Sequence, residues 1–331
     1  MPQCLDSIKD LVNEIIIVDT GSTDKTVEIA ESYGAKVYHH PWENDFSLHR
    51  NQSIEYSTGE WILIIDADEE LLGVDNPKDF KKRLDLIPKN VSALVTTVYE
   101  CDNGNKSTSW LGMRFFRRSS GIHYKNAVHN KAVFKGWAAS TNIVMNHYGY
   151  SLDPVKQAAK RARTESLLKA RLEEDPLDHS ALYYLCQLNI GQKDYEIAYE
   201  YGMRFFECVP VGPENWQFYG VMYFYMAWIS LRLNDGEKAY AWASKGLEFY
   251  PDDLDLNYVM ARIGYQADRP EWLKEYGKKY FDLLPVARNR DKIETDQFLT
   301  KVDLANGFNR TIYSIDEVAE KTIIQFMREA A

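Results

Sequence analysis

The hydrophobic pattern of the chain changes near residue 150, and this change limits the fold more than any other feature. Up to about residue 150, short β-rich runs alternate with amphipathic stretches, which is typical of an α/β domain. From about Asp153 onward the strand signal disappears, and long helix-compatible segments rich in Ala, Leu, Tyr, Glu and Lys follow. We therefore predict two domains, an α/β domain over residues 1–150 and an all-α domain over residues 151–331.

The first half of the chain predicts a largely parallel sheet with an antiparallel edge in its later part. A helix capped by Ser22 or Thr23 is expected to run to Tyr33, where Gly34 closes it. A second helix is expected at 46–56, with Ser47 near its start. The predicted strands cover residues 15–18, 36–38, 61–65, 91–99, 109–117 and 143–148.

The second half of the chain repeats itself at an offset of 41 residues, since residues 194–199 (DYEIAY) align with 235–240 (DGEKAY). Four prolines are predicted to close successive units at spacings of 34, 41 and 34 residues, and 34 is the period of tetratricopeptide helix pairs. Such units bury their apolar faces by stacking, so we expect a short curved solenoid. Its concave face either binds a peptide or partner protein or serves as a structural buttress. The four prolines are Pro176, Pro210, Pro251 and Pro285.

The composition excludes several classes of protein. A formal net charge of -10 argues against a general nucleic-acid binder, because neutralising phosphates requires an excess of clustered Lys and Arg. The longest apolar runs have the length of strands, so no membrane span is expected. The N-terminus shows no secretion signal, and four scattered cysteines suit reduced thiols, so we expect a cytoplasmic location.

Two carboxylates, Asp66 and Asp68, follow the buried strand predicted at 61–65. Ligands in open α/β sheets bind at this end of the strands. Strand alternation would place both carboxylates on one side, where they could share magnesium or manganese with a diphosphate. The alternative is a solvated acidic loop, since Glu69 and Glu70 follow at once.

Other charged residues lie near the predicted strand ends. Asp19 follows the first strand and could accept hydrogen bonds from a base or a ribose, or could simply suit a tight turn. Arg50, expected in the first turn of the second helix, could face the base or the phosphates of a nucleotide. Arg114, Arg117 and Arg118 could hold a diphosphate, although a solvated strand face is the simpler interpretation.

Taken in order, these motifs resemble glycosyltransferase family 2, and in particular bacterial members with a C-terminal tetratricopeptide region. The similar segments are residues 4–8 (CLDSI), 14–26 (EIIIVDTGSTDKT), 44–47 (NDFS), 50–51 (RN), 59–61 (GEW) and 66–69 (DADE). The resemblance implies a Rossmann-like GT-A domain with a mixed sheet, followed by helical repeats. It also implies an inverting transfer from a nucleotide-sugar, with UDP as the expected nucleotide, and a divalent cation, manganese or magnesium. The acceptor would be a peptide, protein or glycan, which the repeats could bind.

The resemblance also implies roles for individual residues. Asp19 and Arg50 would contact the base, and Asp66 would contact the ribose. Asp68 would bind the metal and the diphosphate. His147 stands where similar enzymes return a histidine toward the metal or the diphosphate.

The chain departs from the family pattern in two places. Relatives begin with a further strand of the type Ile-Val-Lys-Asn-Glu, which walls the nucleotide pocket and which the resemblance leads us to expect before Met1. Relatives also often carry a His-Glu pair where this chain has His129 and Asn130. Asn130 cannot deprotonate an acceptor, so His129 is the expected base. Two alternatives stay open: an impaired transferase-like scaffold whose repeats bind a partner protein, and a nucleotidyltransferase.

Overall fold

The computed structural model describes residues 1–102, 105–149, 154–215, 219–289, 300–301 and 317–330. The chain divides into two compact units, residues 1–160 with 294–303 and residues 161–293 with 304–331. The expected fold class is confirmed, because a unit of mixed sheet and helices is followed by a helical unit. The domain boundary expected at residue 150 lies outside the described residues. None of the described helices has both the length and the apolar character needed to span a bilayer.

The first unit contains four α-helices among its described residues, together with short and long strands. The helices are α1 (Pro2–Ile8), α2 (Thr26–Ser32), α3 (Phe46–Tyr56) and α4 (Pro77–Asp85). The strands are β1 (Ile16–Asp19), β2 (Lys36–His39), β3 (Trp61–Leu63), β4 (Glu69–Leu72), β5 (Val91–Asp102), β6 (Asn105–Arg117), β7 (His123–Lys125), β8 (Lys131–Val133), β9 (Trp137–His147) and β10 (Thr300–Lys301).

The strands form three sheets. β1 and β2 make a parallel pair, β7 and β8 an antiparallel pair, and a larger sheet has the order β10-β9-β5-β6-β3, with β4 also paired to β9. In the larger sheet only β5 and β9 run parallel, so the prediction of a largely parallel sheet is wrong. β5 ends at Asp102 and β6 begins at Asn105, and so short a connection permits only an antiparallel pair.

The start of α2 differs from the predicted one, whereas α3 covers the predicted residues 46–56. Neither Ser22 nor Thr23 caps α2, which begins at Thr26 with its N–H donating to Asp24 Oδ1 at 3.0 Å. Asp45, and not Ser47, caps α3, because its Oδ1 accepts from the Leu48 N–H at 3.1 Å. An aspartate before the helix meets the unpaired N–H groups of the first turn better than a residue already inside it. Arg50 consequently lies in the second turn of α3.

The second unit consists of helices wherever it is described. Neighbouring helices pack as the pairs α6–α7, α8–α9 and α10–α11, which agrees with repeated helix pairs. Ala198 and Ala239, 41 residues apart, are both fully buried at matching places in α7 and α9. The helices are α5 (Pro154–Glu174), α6 (His179–Gln192), α7 (Tyr195–Cys208), α8 (Val221–Arg232), α9 (Gly236–Phe249), α10 (Leu254–Gln266), α11 (Pro270–Asn289) and α12 (Glu317–Glu329).

The prolines behave as predicted at three of the four positions. Pro176, Pro210 and Pro251 lie between helices. Pro285 lies inside α11, so the prediction that it closes a unit is wrong. Its neighbour Leu284 is buried in the helical core, and this packing holds the helix through the loss of one N–H donor.

Candidate functional site

A cavity of about 970 Å³ in the first unit is lined by residues of both β1 and β3. Both strands lie at the edges of their sheets. The cavity walls are apolar along residues 15–18 and 62–65, and Asp19, Arg50 and Asp66 add charge to the lining. Three residues that the sequence assigned to one site therefore lie around one cavity. Clefts of this volume, with apolar walls and a few polar groups, are typical of small-molecule sites.

Asp19 holds the turn that follows β1, and its contact with a base or a ribose stays a prediction. Its buried carboxylate accepts from the N–H groups of Gly21 at 3.3 Å and Ser22 at 3.2 Å, and Oδ2 lies 3.3 Å from His39 Nδ1. Hydrogen bonds from Ser22 lower the pKa of this carboxyl group, although burial opposes the shift. Asp19 thus holds its own turn and also lines the cavity.

Arg50 and Asp66 form an ion pair, with Arg50 Nη2 2.5 Å from Asp66 Oδ1. The guanidinium also lies over the ring of Tyr124, 5.4 Å from the ring centroid. Tyr124 is fixed by Asn51, whose side-chain amide exchanges two hydrogen bonds with the Tyr124 main chain at 2.7 and 2.9 Å. Tyr124 and the role of Asn51 were not predictable from the sequence, because these contacts join segments 73 residues apart.

Asp66 and Asp68 do not lie on one strand face. β3 ends at Leu63, and the Glu69 N–H donates to the Asp66 carbonyl oxygen at 2.9 Å, which closes a turn over residues 66–69. Strand alternation does not apply within a turn, so the premise for placing both carboxylates on one side is wrong. The turn gives the two aspartates different partners, Arg50 for Asp66 and His147 for Asp68.

Asp68 and His147 form the second pair of the turn, with His147 Nε2 3.6 Å from Asp68 Oδ2. The interaction with His147 lowers the pKa of Asp68, although burial opposes it. Burial acts to lower the pKa of His147, but the interactions with Asp68 outweigh it, and the pKa is raised. The end of β9 also holds the turn, because the Tyr148 N–H donates to the Asp68 carbonyl oxygen at 2.8 Å.

The surroundings of this pair fit a divalent cation. A Cβ built on Gly149 would lie 2.3 Å from Asp68 Oδ2 and 2.7 Å from His147 Nε2, so only glycine lets both donor atoms lie this close to the main chain. No group of three or more His, Cys, Asp or Glu side chains able to hold a metal occurs among the described residues. Magnesium commonly takes one or two protein ligands and completes its shell with phosphate and water. A two-donor site is therefore adequate for a cation that binds together with a diphosphate.

Glu69 and the arginines of β6 depart from the predictions. Glu69 is 1% exposed, pairs with Arg114 and accepts from the Asp66 N–H at 2.9 Å, so it does not belong to a solvated acidic loop. Burial raises its pKa, which Arg114 opposes. Arg117 is also buried and donates to the Val91 and Ile87 carbonyl oxygens. The interpretation of a solvated face is therefore wrong for Arg114 and Arg117, and only Arg118 of the three is exposed.

His129 is exposed and has a left-handed backbone with φ 49°. It is not among the residues that line the cavity of the first unit. The structure therefore brings together Asp19, Arg50 and Asp66, and separately Asp68 and His147, whereas the role of His129 stays a prediction.

Parts of the chain are similar to known proteins. Residues 1–145 match the model of glycosyl transferase family 2. A TPR repeat-containing protein of Synechococcus elongatus is 36% identical over 199 residues, which cover 56% of this chain and 47% of the relative. The SPbeta prophage-derived glycosyltransferase SunS of Bacillus subtilis is 30% identical over 201 residues, covering 59% of this chain and 47% of SunS. The chain thus spans about half the length of these curated relatives.

Shorter and weaker likenesses were also found. An uncharacterized glycosyltransferase of Rickettsia bellii is 46% identical over 69 residues, which cover 21% of this chain and 23% of the relative. The solved structure titled MamA MSR-1 C2 aligns with a TM-score of 0.35 and 18% identity, covering 40% of this chain and 72% of that one. A score this low carries no argument.

Proposed function

We propose, from the premise that residues 1–145 carry a glycosyl transferase family 2 domain, that this protein transfers a sugar from a nucleotide-sugar donor. UDP is the proposed nucleotide, and a peptide, protein or glycan is the proposed acceptor. The observation that carries the proposal is the turn after β3, which pairs Asp66 with Arg50 and Asp68 with His147 beside one cavity. Asp66, proposed to bind the nucleoside, and Asp68, proposed to bind the diphosphate through a cation, therefore lie in the same turn.

The proposed reaction is a single displacement with inversion. A nucleophilic atom of the acceptor forms a bond to the anomeric carbon as the bond from that carbon to the phosphate oxygen breaks. The electron pair of the broken bond stays on the nucleoside diphosphate, and the acceptor proton passes to a base. Manganese or magnesium, when bound, would neutralise charge on the departing diphosphate.

The residues of this chain divide into two groups in this proposal. Asp19 and Arg50 would contact the base, and Asp66 would contact the ribose, since all three line the cavity. Asp68 and His147 would hold the cation, since their donor atoms are 3.6 Å apart, which is close enough for both to bind one ion.

Two further assignments belong to the proposal. His129 would accept the acceptor proton, a role within the range of an imidazole at neutral pH. The helical repeats would bind the acceptor, which the TPR repeat-containing relative and the glycosyltransferase SunS together support. All four cysteines are free, and this suits the reducing cytoplasm as the place of action.

Calorimetry of UDP binding with and without manganese, combined with turnover of a panel of UDP-sugars, tests the proposal. We expect Asp68→Ala to abolish the manganese-dependent part of binding and to lower sugar hydrolysis by about 100-fold. Asp66→Ala should weaken UDP binding by about tenfold whether or not manganese is present, because it breaks the pair with Arg50. The exposed carboxylate of Asp79 on α4 provides the control Asp79→Asn, which should match the wild type.

The wild-type protein decides the outcome. Manganese-dependent UDP binding and release of sugar support the transferase. If the wild-type chain neither binds UDP with manganese nor turns over any UDP-sugar, the proposal is wrong, and the scaffold whose repeats bind a partner protein becomes the better account.

A further inference from the structure

Glu69 is the most deeply buried carboxylate beside the candidate site. It is 1% exposed and begins β4, where its register partner on β9 is His147. Its two carboxylate oxygens have different partners. Oε2 accepts from the Asp66 N–H at 2.9 Å, and Oε1 accepts from Arg114 Nη2. An ionised side chain is expensive to bury, and a buried ion pair contributes little net stability compared with apolar residues of the same size.

Glu69 closes the turn from both sides. Its own N–H donates to the Asp66 carbonyl oxygen at 2.9 Å, while its side chain accepts from the Asp66 N–H. Both main-chain groups of Asp66 are thus bonded to one residue. Asp68 lies between Asp66 and Glu69 in the chain and is exposed. Its carbonyl oxygen accepts from the Tyr148 N–H at 2.8 Å. The orientation of both aspartate side chains depends on this ring of hydrogen bonds.

Arg114 holds the same segment at two points. Its carbonyl oxygen accepts from the Ile64 N–H at 2.8 Å, which continues the pairing of β6 with β3 beyond Leu63. Its guanidinium pairs with Glu69 five residues further on. The Arg114 side chain is 14% exposed, so solvent screens the pair only weakly. β6 therefore supports the turn at two places. The Arg114 main chain holds Ile64, which precedes the turn, and the Arg114 side chain holds Glu69, which ends it.

We propose that Glu69, paired with Arg114, is a positioning residue that fixes the turn over residues 66–69. The pair holds Asp66 toward Arg50 and Asp68 toward His147, and so couples cation binding to nucleotide binding. Glu69 itself contacts neither the nucleotide nor the cation. This inference rests on the proposed function, since it concerns how the turn presents its two aspartates.

The variant Glu69→Gln tests the inference, since it keeps an oxygen for the Asp66 N–H and removes the ion pair. Arg114→Lys provides a second variant, which keeps the cation but loses the planar donor pair. The control is Glu60→Gln, because Glu60 pairs with Arg117 on the same strand β6 but lies away from the turn. Calorimetry with UDP, with and without manganese, gives the factor by which manganese tightens UDP binding.

We expect this factor to fall by about tenfold in Glu69→Gln and Arg114→Lys, as is usual when a residue supporting a metal ligand is lost. UDP affinity without manganese should also fall, but by less than the loss of about tenfold expected of Asp66→Ala, because Asp66 keeps its carboxylate. Both affinities in Glu60→Gln should stay near the wild-type values. Hydrogen–deuterium exchange should show faster exchange at residues 64–69 in both turn variants and no change in the helical repeats. If Glu69→Gln does not fold, Arg114→Lys decides alone.

An unchanged manganese factor in folded turn variants would overturn the inference. That result includes an equal loss of UDP affinity with and without manganese, which would indicate general damage to the nucleotide site. Failure of the proposed function looks different, because the wild-type protein and Glu60→Gln would then also show no manganese-dependent UDP binding.

Discussion

Glu14 joins three segments of the first unit, and its contacts predict a measurable pH dependence of stability. Oε1 accepts from Thr58 Oγ1 at 2.8 Å, from the Gly59 N–H at 3.2 Å and from the Thr58 N–H, while Oε2 pairs with Lys36 Nζ at 3.2 Å. These contacts, the Thr58 N–H first, lower the pKa of Glu14 from 4.5 to about 2. The shift corresponds to about 3 kcal/mol as an upper limit, because one pKa unit is about 1.4 kcal/mol.

The sign follows from the direction of the shift. The pKa of Glu14 is lower in the folded state than in the unfolded state, so its contribution is fully present above pH 4.5 and is lost as the pH falls toward 2. Glu14→Gln removes the charge at every pH. We expect it to lower the free energy of unfolding by up to about 3 kcal/mol at pH 7, and by about 1.4 kcal/mol less than that at pH 3.5.

Urea unfolding at pH 7, 5 and 3.5 measures this difference, and hydrogen–deuterium exchange of peptides from residues 1–149 separates the first unit from the helical repeats. The matched control is Glu55→Gln, the same change at an exposed carboxylate on α3, which should shift stability little at any pH. A wild-type to Glu14→Gln difference that stays constant from pH 7 to 3.5 would refute the reasoning, because it would show that Glu14 has an ordinary pKa in the folded state.

Two glycines give further predictions. Gly149→Ala would place a methyl group within 2.7 Å of the donor atoms of Asp68 and His147, so manganese should no longer tighten UDP binding in calorimetry. The control is Gly191→Ala, whose methyl group would meet nothing within 4 Å, and it should bind UDP as the wild type does. Gly246→Val would overpack the contact of α9 with α10, where a Cβ already comes within 2.5 Å of a leucine carbon, and urea unfolding of the helical unit should show a loss of about 1–3 kcal/mol.

Periodicity made much of the fold predictable. The 41-residue offset located the helix pairs, and Ala198 and Ala239 occupy matching buried positions. Short apolar runs located β1, β2 and β3, because local hydrophobicity dominates such strands. The antiparallel order of the larger sheet was not predictable in this way. Periodicity reports that a strand exists but not which strand it pairs with, and β5 pairs on opposite edges with β6 and β9.

The candidate site was predictable as a set of residues but not as an arrangement. Asp19, Arg50 and Asp66 were chosen by residue type and position at strand ends, and they do line one cavity. Glu69 was misread because its neighbours are acidic, and acidic runs are usually solvated. Its burial depends on Arg114, which is 45 residues away, and no local sequence pattern predicts that contact.

The turn over residues 66–69 explains why two aspartates separated by one residue have different surroundings. Each partner comes from a different element, Arg50 from α3, Arg114 from β6 and His147 from β9. In a strand, the side chains of Asp66 and Asp68 would lie on one face, and Arg50 or His147 could then contact both carboxylates. Because the turn that Glu69 closes follows β3, one carboxylate lines the cavity beside Arg50 while the other lies beside His147 Nε2. The proposed separation of nucleoside and cation contacts would depend on this turn, which the ion pair of Glu69 with Arg114 helps to hold.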